Sequence, residues 1–292
     1  MSALDKFIYF LEGTMTRPGN YGWFHLMFIG IITAATIFIC IKFKDCDAKT
    51  LNRILLIVWV TLIVGETLKQ ILFSFDSDGL TSSWNYQWYA FPYQLCGTPL
   101  VVLPFIIFSK EGKLRDACIA YMATFSLFGG LAVYLYPNDV FVSEIAINLQ
   151  TMIHHGLQVL IGIFLAVYSR RKLTFKYYLS SICVFLVLSG IAIAMNEAVY
   201  HIFQAKGIGD TFNMFYISYH FDCTLPVLSA IYPIVPYPVF LALYIFGFMI
   251  ICAIIHYATR GIVALTSKKD KKTDNADGGD HEKKEVEALR QS

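Results

Sequence analysis

Seven long apolar stretches, with basic residues concentrated in every second gap between them, restrict this chain to one kind of fold. The stretches are Trp23–Ile41, Leu55–Phe75, Leu95–Phe108, Cys118–Leu135, Leu149–Tyr168, Tyr178–Ile202 and Val235–Ala258. A helix needs about 20 apolar residues to cross ~30 Å of hydrocarbon, and most of the stretches reach that length. Lipid offers backbone amides no partners, so each span must be helical. The third stretch is short, so it is expected to sit at an angle or to start from a loop dipping into the membrane. The expected fold is therefore all-α and polytopic, with seven transmembrane helices.

The lysines and arginines set the expected orientation. Lys42, Lys44, Lys49 and Arg53 come after the first stretch. Lys110, Lys113 and Arg115 come after the third, and Arg170, Arg171, Lys172 and Lys176 after the fifth. The gaps at Asp76–Gln94 and Tyr136–Asn148 hold none, and the long sixth connection holds only Lys206. Cationic loops stay in the cytoplasm, which puts the amino end outside and the carboxyl end in the cytoplasm. Opposite sides require an odd number of spans, in agreement with seven.

Composition removes other classes. The chain is 57% hydrophobic and 15% charged, with mean hydropathy +0.57, far from a soluble domain. A net charge of +2 gives no reason to expect a nucleic-acid partner. Asp5 and Glu12 with no cleavage pattern argue against a removable leader, and Leu4–Leu11 reads as a short interfacial helix. Residues 1–20 form an extracellular amino-terminal segment, 21–262 one membrane domain without internal repeats, and 263–292 a charged cytoplasmic tail expected to be disordered. No metal-ligand spacing occurs among the seven cysteines, and no cofactor is expected. Only Cys96 and Cys223 lie towards the outer face, as a disulfide or as free thiols. The aromatic-rich connection Phe203–Ile234 is expected to lie in the outer headgroup layer.

Ionisable groups within spans cost about 2.5–3.5 kcal/mol each and usually face the bundle interior. Glu66 and Lys69 share one face of the second span, with Gln70 beside them, either as an ion pair that lowers the cost of insertion or as a functional group. Gln150, His154 and Gln158 recur at intervals of four in the fifth span, beside Thr151 and His155. Asn196, Glu197, Tyr200 and His201 mark the sixth. With the orientation above, all of these and Cys96 fall in the outer half of the membrane, which predicts one polar chamber. Within it, a thiol and an imidazole suit acyl transfer through a thioester. The alternative reading is a packing cysteine and structural histidines.

The same segments carry a resemblance. FPYQLCGTPLVVLPFIIF at Phe91–Phe108 resembles the LPxxLC segment of the YwaF family of integral membrane proteins. GGLAVYLYP at Gly129–Pro137 is similar to its Gly-rich fourth span, and MIHHG at Met152–Gly156 to its His-Gly element. Asn213 in FNMFYIS and the run Pro236–Tyr244 resemble its later elements, and Glu66 falls where the family has an acidic residue. The resemblance implies seven helices and, through eukaryotic relatives, a glycerophospholipid acyltransferase or acyl hydrolase with a Cys–His pair. Cys96 then matches the nucleophile and His155 the base, with His154 a second candidate. In an enzyme of this kind Glu66 or Glu197 is expected to orient the imidazole and Gln94 or Asn213 to bind the carbonyl or headgroup, with Asn196 a further supporting residue. Gly97 departs from the pattern, where an acidic or small polar residue is common; Thr98 or a backbone N–H is the expected substitute for oxyanion support.

The expected partner is membrane lipid, the expected location a bacterial cell membrane, and the first function an acyltransferase or hydrolase. A small-solute or proton-coupled transporter using Glu66, Lys69, His155 and Glu197 is the alternative, although few ionisable groups lie in the inner halves of the spans. A membrane sensor comes third, since no receptor-type motif is present.

Overall fold

The structure, a computed structural model, describes residues 2–137 and 140–290, with side chains as far as residue 265. The tail 263–292 therefore lies almost wholly outside the described side chains. Among the described residues, six helices are long and apolar enough to cross a membrane. They are α2 (Trp23–Phe43), α3 (Ala48–Leu72), α5 (Lys113–Leu135), α6 (Ile145–Tyr168), α7 (Phe175–Lys206) and α9 (Tyr237–Arg290, apolar over Tyr237–Leu265), with the short α1 (Ala3–Leu11), α4 (Thr98–Phe108) and α8 (Leu228–Ile231) between them.

The third apolar stretch is where the structure departs from seven full spans. It forms a 3₁₀ turn, Leu95–Gly97, followed by the eleven-residue helix α4. At about 1.5 Å per residue, these 14 residues rise only about 20 Å, short of the hydrocarbon thickness. Pro92 ends the preceding segment, and Pro99 sits in the first turn of α4, where its missing N–H costs nothing.

Burial divides the bundle. The middle helices α5 and α6 are mostly buried, whereas α2, α3 and α9 show most of their surface to the outside. A water-soluble bundle would make that outer face polar. Here it carries Trp23, Ile31, Phe38, Ile57, Val64, Phe246, Ile250 and Ile254, all exposed. With these six helices the chain is an integral membrane protein.

Small residues let the middle helices touch. A Cβ at Gly156 would lie 2.7 Å from Ile32, and one at Gly162 would lie 2.8 Å from Leu127. A five-residue π turn, Met122–Ser126, interrupts α5. Such a turn adds a residue and rotates the rest of the helix. Beyond it, Gly129 and Gly130 lie against α6, where a Cβ on Gly130 would meet Gln158 at 3.0 Å.

The two ends of the bundle differ. At one end, the basic gaps meet: Arg170 pairs with Asp45 and donates to the Lys44 carbonyl, and Lys172 pairs with Asp116 at 2.8 Å. Arg170 holds the Asp45 carboxyl below its ordinary range. At the other end, α1 docks on a small hairpin, β1 (Phe75–Ser77) with β2 (Ser82–Trp84) antiparallel. Asp5 Oδ1 accepts from the Ser82 hydroxyl at 2.6 Å and its amide at 3.1 Å. The Ser82 hydroxyl, then the Ser2 capping contacts, hold the Asp5 carboxyl well below the usual range. A bridge between Thr14 and Glu144 ties the amino-terminal segment to the loop before α6.

The long sixth connection is divided. Its middle goes into the bundle, with Phe212, Met214, Phe215 and Ile217 buried in the main core, whereas the flanking parts, including Tyr219, Val227 and Ile234, stay exposed. The chain turns back through Phe215 and Tyr216, both at φ 57°, and plugs the bundle from one end. Hydrophobic burial at roughly 1.5–3 kcal/mol per large side chain favours this over lying at an interface.

Candidate functional site

The site is built where the Leu95–Gly97 turn meets α3, α5 and α6. Glu66, on α3, is buried and paired with Lys69 Nζ at 2.8 Å, the contact that their three-residue spacing allows. Gln70 Nε2 donates to the same carboxylate at 2.7 Å and to the Ala90 carbonyl at 2.8 Å. Tyr86 donates its hydroxyl to Gln70 Oε1 at 2.6 Å. The second oxygen of Glu66 accepts from Gln150 Nε2, on α6, at 3.4 Å. Gln150 in turn lies 3.5 Å from His154 Nδ1. The chain of contacts ends at His154 Nε2, which is 2.8 Å from the carbonyl oxygen of Cys96.

These contacts fix both tautomers. A carbonyl only accepts, so His154 carries its proton on Nε2, and Nδ1 receives the Gln150 amide. Both nitrogens of His154 are thus engaged. His155 Nδ1 donates to the Thr151 carbonyl at 2.8 Å, one turn back. Its Nε2 therefore bears the lone pair and has no hydrogen-bond partner among the described residues. The two rings are 5.4 Å apart. Sequence spacing leaves the choice between them open; in the structure His154 is a strut engaged at both nitrogens, while His155 keeps one nitrogen unbonded among the described residues.

The thiol of Cys96 donates to the Gly129 carbonyl at 3.7 Å and bonds neither imidazole. It is free, as is Cys223, so no disulfide joins them. Gly97, beside it, has a physical reason: a Cβ there would stand 2.9 Å from the Pro92 carbonyl oxygen. The tight turn that presents Cys96 excludes a larger residue at 97. Thr98 donates to the Leu95 carbonyl at 2.7 Å and accepts from Tyr121 at 3.0 Å, so its hydroxyl supports the turn.

The remaining candidates fall into two groups. Gln94, Asn196 and Asn213 staple the buried connection. Gln94 accepts from the Phe215 N–H at 2.7 Å and donates to the Asn213 carbonyl at 2.9 Å. Asn196 bonds both the N–H and the C=O of Met214, at 2.7 and 3.0 Å. Asn213 accepts from the Ser218 N–H at 2.9 Å and donates to the Asp222 carbonyl at 3.1 Å. These amides satisfy backbone groups that irregular buried chain would otherwise orphan. Glu197 stands apart. Its two oxygens bind His201 at 3.0 Å and His220 at 2.9 Å on an exposed surface, and it reaches neither His154 nor His155. The four-residue cluster of Glu66, Lys69, His155 and Glu197 is thus not one site.

Beside the strut lies a cavity of about 180 Å³ between α3 and α6. Leu62, Gly65, Leu68 and Ile153 line it, with Gln150 and His154 among its polar members. Val64 and Ile153 on its wall are exposed on the flank of the bundle. The opening therefore faces the space that lipid occupies. Cys96 does not line this cavity, and His154 stands between the two.

Gly129 and Gln150 complete the site, although neither belongs to the expected catalytic or supporting set. The Gly-Gly pair and the four-residue spacing of Gln150 and His154 were the available signals. Comparison with known proteins adds one match: the TMEM164 family covers residues 20–259, most of the chain and every residue of this site. The chain belongs to the TMEM164 family. That membership agrees with a polytopic membrane protein and covers all six long helices apart from the end of α9. No curated protein and no solved structure matches the chain.

Proposed function

We propose that this TMEM164-family protein is a membrane lipid acyltransferase or acyl hydrolase in which Cys96 is the nucleophile and His155 the base. The observation that carries the reading is that His154 grips the Cys96 carbonyl while the next residue, His155, keeps its Nε2 without a hydrogen-bond partner among the described residues. In the resting arrangement the thiol faces Gly129, so reaction requires it to turn towards His155. His155 Nε2 then takes the thiol proton, and the sulfur attacks the carbonyl carbon of an acyl ester. The lysolipid oxygen leaves and takes the proton from His155. A thioester remains on Cys96, and an incoming hydroxyl, of a second lysolipid or of water, displaces it while His155 again carries the proton.

The chain's own groups supply the rest. The first-turn N–H groups of Leu95 and Cys96, which the start of a helix leaves without helical partners, would face the developing oxyanion. Glu66 positions His154 through Gln150. Gln94, Asn196 and Asn213 hold the plug that closes the chamber, and Glu197 anchors its outer edge to His220. The apolar cavity between α3 and α6 opens towards lipid on the far side of His154 from Cys96, so an acyl chain seated there reaches the sulfur only if that ring moves. We assign seven membrane crossings, with α4 and the 3₁₀ turn ahead of it as a short third passage, the basic loops cytoplasmic and the amino end outside.

The test is acyl exchange in proteoliposomes containing labelled phospholipid and lysophospholipid. Wild-type protein is expected to move label between them, and Cys96→Ala to lose the exchange at normal expression and unchanged melting temperature. Full turnover by Cys96→Ala would falsify the mechanism.

A further inference from the structure

At the opposite end of the bundle from the thiol, a second cavity of about 210 Å³ opens where the basic connections converge. Arg115, Asp116, Arg171, Lys172 and Tyr177 line it, together with Glu111 and Gly112. Three observations there point to one kind of ligand. First, Arg115 is buried, 6% exposed, with no carboxylate within ion-pair distance among the described residues. Its one hydrogen bond goes to the neutral Asn52 Oδ1, at 2.7 Å. A guanidinium has five N–H donors, and burying it without an anion is costly. Second, Tyr177 is 8% exposed and its hydroxyl makes no hydrogen bond. The Ser169 hydroxyl, which donates to the Leu165 carbonyl at 2.7 Å, lies near it without forming a hydrogen bond with it. Third, α5 begins in this cavity at Gly112, and no side chain caps its first N–H groups. Those amides and the helix dipole favour negative charge.

Two carboxylates, Glu111 and Asp116, stand on the wall, and neither pairs with Arg115 among the described residues. Asp116 is taken up by Lys172, through both carboxylate oxygens, at 2.8 and 3.0 Å. Arg171 is exposed at the rim and forms no ion pair among the described residues. The pocket thus offers a guanidinium fork, a hydroxyl donor, a helix start and a second cation. A tetrahedral oxyanion accepts from all four directions at once, whereas a carboxylate, with as many lone pairs, presents them in one plane.

We propose that this pocket binds a phosphate group, carried by a phospholipid headgroup or by a soluble phosphate ester. Arg115 holds it from below by two parallel N–H bonds, Tyr177 donates one hydrogen bond, and Arg171 closes over it. The site is separate from the Cys96 chamber and does not depend on the proposed chemistry there.

The experiment tracks the thermal unfolding of the full chain in neutral detergent, because a ligand that binds only the folded state raises the midpoint. The probes are dioctanoyl phosphatidic acid, glycerol 3-phosphate, and dioctanoylglycerol as the same lipid without phosphate. At least one phosphate compound is expected to raise the midpoint with concentration, while dioctanoylglycerol does not. A rise with phosphatidic acid alone makes the source a headgroup, and an equal rise with glycerol 3-phosphate makes it a soluble ester. Tyr177→Phe, which removes a hydroxyl without a partner, is expected to unfold like wild type without ligand and to bind about tenfold more weakly. Arg115→Gln is expected to abolish the rise. The proposal is overturned when no phosphate compound moves the midpoint, when dioctanoylglycerol matches them, or when the rise is unchanged in both variants.

Discussion

The Nε2 of His154 sits 2.8 Å from the carbonyl oxygen of Cys96, so this histidine holds the backbone of the cysteine and leaves the sulfur alone. One residue on, His155 turns its Nδ1 back onto Thr151 and keeps Nε2 unbonded among the described residues. Adjacent residues on a helix point about 100° apart, and here that difference leaves one ring engaged at both nitrogens and the other at one.

The division predicts opposite outcomes for two alanine substitutions. His155→Ala is expected to lower acyl exchange by about 10²–10⁴-fold, the usual worth of a general base, with little change in melting temperature. His154→Ala is expected to cost about 1–3 kcal/mol of stability, because the Cys96 carbonyl and the Gln150 amide lose their partner. Exchange rates and unfolding midpoints measured on the same preparations separate the two.

The buried connection predicts a local defect. Asn196→Ala leaves the N–H and C=O of Met214 unpaired, at about 1–3 kcal/mol for an orphaned buried group. The plug is expected to loosen before the bundle does. Limited proteolysis should cut between Phe203 and Ile234 faster in the variant, while far-ultraviolet circular dichroism stays unchanged.

The turn at Gly97 predicts a steric effect. Gly97→Ala places a methyl 2.9 Å from the Pro92 carbonyl oxygen, a contact that the backbone must move to relieve. Overpacking of this kind costs about 1–3 kcal/mol. Alkylation of Cys96 by iodoacetamide, read by mass spectrometry, is expected to change in rate in the variant. Gly129→Ala, whose methyl meets only ordinary contacts of 3.5 Å or more, should not show that effect.

Much of this architecture was legible because membrane helices are long and lipid enforces their hydrophobicity. Trp23, Leu135 and Tyr168 bound helices where the apolar runs end. The ion pair of Glu66 and Lys69 is a consequence of spacing alone. Contacts across elements were hidden. Nothing local distinguishes a loop rich in Phe212, Phe215 and Tyr216 that rests on headgroups from one that plugs the bundle; the partners, Gln94 and Asn196, lie on other segments. Glu197 resembled Asn196, its neighbour, yet one faces solvent and the other the core. The short third stretch read as a span by composition, although its helix is only eleven residues long.

The Asp5–Ser82 contact predicts acid sensitivity at the end of the bundle where α1 docks. A carboxyl held below its unfolded value contributes stability above that value and loses it as pH falls through the folded one. The docking of α1 should therefore persist through mildly acidic pH and weaken only below the ordinary carboxylate range. Exchange protection of the Ser82 amide, measured against pH and corrected for intrinsic rates, reports it. Asp5→Asn should reduce protection already at neutral pH.

The central claim is a covalent acyl group on one sulfur. Intact-protein mass spectrometry after brief incubation with phospholipid, quenched in acid, measures it directly. The account predicts an added fatty-acyl mass on wild-type protein, released by neutral hydroxylamine, mapped to Cys96, and absent from Cys96→Ser. An active preparation that exchanges acyl chains with no acyl mass on Cys96, or with that mass at another residue, would contradict it.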